Sequence, residues 1–184
     1  MDRRSLIALF AVTMTVPQTA LARNRGAHPQ KNEATQGQNN GPASAHAEAS
    51  VDAMYAELTL AIGAVALETS RLAQSTAKDD WVKRFANFEV AEQTTVADVL
   101  GSLGMKVERG EQAADVVDQL KKSSNFDADY LAAQLDGHQQ LLKVQEEYIQ
   151  VGKDPAHVGL AKLARNQIKE HIDLIQTIQK MLKA

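Results

Sequence analysis

The stretch Phe126-Asp-Ala-Asp-Tyr-Leu-Ala-Ala-Gln-Leu-Asp-Gly-His138-Gln-Gln-Leu-Leu142-Lys-Val-Gln-Glu-Glu-Tyr-Ile149-Gln-Val151, followed at once by Gly152-Lys153-Asp154-Pro155, decides the fold class. Leu131, Leu135, His138, Leu142 and Ile149 recur at spacings of three, four and seven, the period of one helix face and not of a strand. Gly152 is then a helix stop, and Asp154 an N-cap whose carboxylate takes free N–H groups of the next turn. Pro155 suits the first helical position, because it has no N–H to leave unpaired. The period resumes from Pro155 to about Leu182 through Leu160, Ala164, Ile168, His171, Ile175 and Ile178. So short a link forces the two helices to lie antiparallel.

Toward the N-terminus the same period runs from about Asp80 to Leu103 through Trp81, Phe85, Phe88, Val96, Val99 and Leu103. It runs again from about Val51 to Ser75 through Met54, Leu58, Val65 and Leu72. The link at 76–79 makes these two a second antiparallel hairpin. Ser124-Asn125-Phe126-Asp127 is expected to cap the third long helix. The longer link at 104–125 contains Glu111–Lys122, expected as a short helix laid on the others through Val116, Val117 and Leu120. The expected fold is all-α: an antiparallel four-helix bundle over residues 50–184, with a short extra helix between helices two and three.

Residues 1–22 read as an address. Met1-Asp-Arg3-Arg4, an apolar run from Ser5 to Val16 and the triplet Ala20-Leu21-Ala22 are the three parts of a secretory signal peptide. The run is shorter than the ~20 residues of a membrane-spanning helix. The mature chain is therefore expected to begin near Arg23, to carry no membrane span and to be periplasmic or otherwise exported. Residues 23–49 hold Gly, Asn, Gln, Pro, Ser, His and Ala without period and without a bulky apolar side chain. Such a segment cannot bury enough surface to offset its ordering entropy, and a disordered linker is expected.

Among its 184 residues the chain has no cysteine, which excludes disulfides, a thiolate nucleophile, cysteine-bound zinc and a lipidated N-terminal cysteine. Twenty Lys and Arg against 23 Asp and Glu give a net charge of -3, which argues against nucleic acid held by a basic surface. No triad or phosphate loop is present, so no catalytic residue is assigned.

The informative residues are polar ones inside the apolar stripes. At about 100° per residue, His138 and His171 fall at the centres of helices three and four, and Glu92 at the centre of helix two. Glu68 lies at the edge of helix one, between Val65 and Leu72. Folding the second hairpin about its link sets His138 one turn from His171. If Gly104 and Phe126 are level, Glu92 and His138 share that layer too, with Glu68 nearby. Two chemistries fit. One is a buried polar cluster, with Glu92 paired to the imidazoles and Gln134, Gln145 and Gln167 completing the bonds, because a lone buried carboxylate is costly. The other is a metal site of Glu68, Glu92, His138 and His171, since inward carboxylates and histidines on facing helices hold iron or manganese pairs. The Glu-x-x-His pairs of dinuclear sites are missing, however: position 135 is Leu, position 168 is Ile, and helix two has Glu89-x-x-Glu92.

Several stretches carry a family likeness: Gly63-Ala-Val-Ala-Leu-Glu68-Thr-Ser-Arg-Leu-Ala73, Val82-Lys-Arg-Phe-Ala86, Phe126-Asp-Ala-Asp-Tyr130 with His138, Gly152-Lys-Asp-Pro155 and Glu170-His171. In order and spacing they resemble exported bacterial proteins of domain-of-unknown-function family 4142, over residues 51 to about 180. The resemblance implies a ferritin-like four-helix fold. It also sets Glu68, His138 and His171 at positions where that family usually carries the same residues. Helix two departs, with Glu92-Gln93 where the family commonly has Asp-His, and Arg165-Asn166 replaces the usual Leu-Pro. The resemblance brings no established activity. The expected function is a non-catalytic exported binding or envelope- or stress-associated module. The alternative is an iron- or manganese-binding protein, and a third option is an interaction protein using the face around Trp81 or the 111–122 helix.

Overall fold

The computed structural model describes residues 42–105 and 111–183, and all regular structure among them is helical. Five helices follow in order: α1 (Pro42–Thr76), α2 (Asp80–Ser102), α3 (Glu111–Lys121), α4 (Phe126–Val151) and α5 (Pro155–Met181). The expected signal peptide, 1–22, and the first part of the expected linker lie outside the described residues. Residues 42–49, also expected as linker, already belong to α1. Their proline start and repeated alanines suit a helix, since alanine has the highest helix propensity.

The helix ends follow local chemistry. Asp154 accepts the N–H of His157 as expected, and the Asp79 carboxylate, not singled out in the sequence, caps α2 by accepting those of Trp81 and Val82. The α2 C-terminus closes with the Met105 N–H on the Leu100 carbonyl and the Gly104 N–H on that of Gly101. This double closure needs a left-handed residue, and Gly104 has φ +85°. Two expectations change. The Asn125 side chain makes no cap bond to α4; Ser123 instead accepts the Asn125 N–H and donates to Asp129. Gly152 has φ -65°, so it is not a left-handed stop. It is there because a Cβ would meet the Tyr148 ring at 2.5 Å.

Side-chain pairs give the helix directions. Gln74 bonds Asn87 while Gly63 faces Gln93, so α1 and α2 are antiparallel. His138 meets His171 and Glu146 meets Lys169, so α4 and α5 are antiparallel. Tyr55 donates to Gln145 and Ser70 meets Tyr130, both at 2.8 Å, which sets α1 antiparallel to α4. It follows that α2 and α4 point the same way. Their N-terminal ends are level, with the Lys78 and Asp79 N–H groups on the Asp127 carboxylate. Gly104 and Phe126 therefore lie at opposite ends, and the condition under which the sequence set Glu92 level with His138 does not hold.

Two apolar clusters fill the interior. One gathers Val82, Phe85, Tyr130, Leu131, Ile175 and Ile178, and α3 covers it with Val116 and Leu120. The other gathers Leu60, Leu100, Leu141, Val144, Ala161 and Ile168. Along α2, α4 and α5 the polar residues Glu89, His138 and His171 stand between the two. The α1–α4 contact is itself polar: the Gln134 amide donates to the Ala66 carbonyl, Thr69 and Ser70, and Gln145 links Tyr55 to Thr59.

Candidate metal centre

Each histidine arrives from a helix whose buried face contains it. On α5 that face is Ala161, Ala164, Ile168, His171, Ile175 and Ile178, close to the expected stripe. On α4 it includes Tyr130, Gln134, His138, Leu141 and Gln145. On α2 the face is turned from the expected one: Val82, Phe85, Ala86, Glu89 and Leu100 are buried, while Trp81 and Phe88 are exposed and flank the Arg84 guanidinium. That stacking holds a cation against two aromatic faces at the surface and leaves the interior to Glu89.

Glu89 is fully buried, and its two oxygens have different surroundings. Oε1 accepts the Gln93 amide at 2.8 Å. Gly63 makes room for that glutamine, since a Cβ there would lie 2.5 Å from Gln93 Oε1. Oε2 lies 3.3 Å from His138 Nε2 and 3.0 Å from His171 Nδ1, yet no donor is aligned on it. The two ring nitrogens are 3.1 Å apart. Oε2 and the two nitrogens thus form a nearly equilateral triangle. Donors bound to one ion at about 2.1 Å are spaced about 3.0–3.4 Å from one another, depending on geometry.

The outer faces of the imidazoles support the same arrangement. His138 Nδ1 is 2.8 Å from the Gln134 carbonyl, which can only accept, so in the neutral ring the proton sits on Nδ1 and the Nε2 lone pair faces Glu89. His171 Nε2 is 2.8 Å from Glu92 Oε2. A proton drawn to that side leaves the Nδ1 lone pair facing inward as well. Three inward electron pairs repel unless a cation, whether a proton or a metal ion, stands among them. Burial alone would raise the Glu89 pKa, but when the rings are protonated the positive charge of His138 and His171, 3.3 and 3.0 Å away, outweighs it and holds the group below the usual carboxylate range. Burial likewise opposes charge on His171, yet Glu89 and Glu92 raise its pKa to about 9.

Residues 34–178 match the family described as a domain of unknown function, DUF4142. The chain belongs to DUF4142. No curated protein and no solved structure matches it. Of the residues singled out in this DUF4142 chain, Glu92, His138 and His171 come together, and Glu68 does not join them. Glu68 is half-buried at the surface and pairs with Arg71 at 2.6 Å. The glutamines Gln134 and Gln145 turn their side chains to α1, and Gln93 takes the role expected of them. Glu89, which completes the triangle, was not among the site residues singled out. The signal was present in the three-and-four spacing of Val82, Phe85, Ala86, Glu89 and Gln93. No described helix is long and apolar enough to cross a membrane.

Proposed function

We propose that this protein is an exported, ferritin-like four-helix bundle that binds a single first-row divalent ion, iron or manganese, through Glu89, His138 and His171. The carrying observation is the triangle of donor atoms, with Glu89 Oε2 buried and free of any aligned hydrogen bond. Two imidazoles and one carboxylate on one face suit such ions and leave other coordination positions open. Glu92 beside His171 Nε2 acts as the orienting carboxylate that metal-bound histidines commonly have. One ion is proposed, not two, because α1 contributes no ligand and the Glu-x-x-His pairs are missing. The ferritin-like assignment rests on the helix directions: two antiparallel hairpins joined so that α2 and α4 run parallel. Export rests on the 1–22 pattern and is checked by N-terminal sequencing of the secreted chain, which should begin near Arg23.

A second reading has its own support. A protonated His171 between Glu89 and Glu92 satisfies both carboxylates without any metal. The deciding measurement is metal content of protein purified from the periplasm without chelators, for wild type, Glu89→Gln, His138→Ala and His171→Ala. Near one ion per chain in wild type and none in the variants, with helix content kept, is expected. Wild-type protein that also refuses Fe(II) and Mn(II) in equilibrium dialysis would leave only the polar cluster.

A further inference from the structure

We propose that Glu92 is the capture ligand of the site: a divalent cation reaches Glu89, His138 and His171 through the seam between α2 and α5, with Glu92 as its first protein donor. This rests on the metal reading above and goes beyond it by assigning a route.

The other sides of the triangle are closed. Phe85 packs against both imidazoles, with ring centroids 6.1 Å from His138 and 5.3 Å from His171. Gln93 occupies the Oε1 side of Glu89, the Gln134 carbonyl closes the far side of His138, and the two apolar clusters flank the layer. Side-chain exposure is 0% at Glu89 and 1% at His138, then rises to 11% at His171 and 28% at Glu92. The water-facing side is therefore the Glu92 side. It opens where α2 meets α5, and of the neighbouring long-helix pairs this one has the sparsest contact. Glu92 Oε2 is itself buried, turned in to His171 Nε2 at 2.8 Å, so the 28% exposure belongs to the rest of the side chain and the carboxylate spans from the triangle's edge to water. A carboxylate at a half-open mouth attracts a hydrated cation at range and can replace part of its water shell before the ion moves inward.

A rim charge acts on association, whereas a buried partner acts on dissociation. This separates capture from mere orientation of His171. The test is stopped-flow binding of Co(II), followed by its visible absorbance, to the exported protein over a series of salt concentrations. Glu92→Gln should slow association about tenfold and flatten its salt dependence. Glu92→Asp, which keeps the charge, should retain most of the rate. Asp118→Asn on α3, a remote loss of one charge, should leave the rate as in wild type. Association and salt dependence unchanged in Glu92→Gln, with only dissociation faster, would leave Glu92 with its orienting role alone and overturn the proposal. Wild-type protein that binds no Co(II) would instead overturn the metal reading itself, and this route with it.

Discussion

A carboxylate cut off from water keeps its charge only where donors or positive charge surround it, and Glu89 has Gln93 on one oxygen and two imidazoles on the other. Removing it leaves His138 without a counter-charge and His171 with Glu92 alone. Glu89→Ala should therefore cost about 3–5 kcal/mol in metal-free protein, the range for breaking a buried pair. Urea unfolding measures it, and an unchanged midpoint would show that the histidines need no anion. Tyr55 offers a pH test away from the site. It donates to Gln145 at 2.8 Å, and burial raises its pKa from 10.0 to about 12, with Thr59 pulling slightly the other way. An unfolded tyrosine ionises near pH 10, so stability present below that pH should be lost as the pH rises toward 12. Tyr55→Phe should cost about 1–2 kcal/mol at neutral pH and lessen that alkaline loss; an identical slope from pH 10 to 12 would count against it. His138 and His171 were legible in the sequence because apolar neighbours bracket each of them. Glu89 was not, because the bulk of Trp81 and Phe88 drew the α2 stripe toward a face that the fold leaves in water.

At the scale of an element, hydropathy located every helix but misjudged which side of some of them is inside. The α1 face toward α4 is built of Tyr55, Thr59, Ala66, Thr69, Ser70 and Ala73, so a search for bulky apolar residues picks Met54, which is exposed. Hydroxyls can line an interior when each finds a partner, as Thr59, Thr69 and Ser70 do with the α4 glutamines. On α4 the difference is one residue. Leu141 is 2% exposed, whereas Leu142, expected on the stripe beside His138, is only partly buried. Leu141→Ala should cost about 2–5 kcal/mol and Leu142→Ala distinctly less; thermal denaturation showing the reverse order would turn the α4 face back. Gly63 tests the α1–α2 contact. Alanine gains about 1 kcal/mol of helix propensity over glycine. Its Cβ, however, displaces Gln93 from Glu89, and a hydrogen bond to a charged group is worth about 1.5–3 kcal/mol. The loss outweighs the gain, so Gly63→Ala should destabilise by about 1 kcal/mol, and a stabilised variant would show that Gln93 does not hold Glu89.

Across the whole molecule, the layer was legible even though the connection that builds it was read wrongly. Glu92 lies midway along α2, equally far from Asp80 and from Gly104. Reversing the direction of α2 relative to α4 therefore leaves its height unchanged. The parallel course of α2 and α4 was hidden because it depends on Asp127 bonding the start of α2, a contact between residues distant in sequence. That topology has a thermodynamic consequence. The proposed donors come from α2, α4 and α5, so an unfolded chain cannot present them together, and an ion held there binds the folded state alone. Stabilisation then follows mass action, about 2.7 kcal/mol at a free-ion concentration one hundred times Kd. For a domain of this size that raises the thermal midpoint by roughly 5–20 °C. Titrating Mn(II) into chelator-stripped protein should give such a rise, reversed by EDTA and absent in His138→Ala. The same rise in His138→Ala would place the ion elsewhere on the chain. A flat midpoint in wild type, at Mn(II) concentrations where dialysis shows none bound, would leave the imidazoles and carboxylates as a brace held by protons, joining α2 to α4 and α5 without any metal.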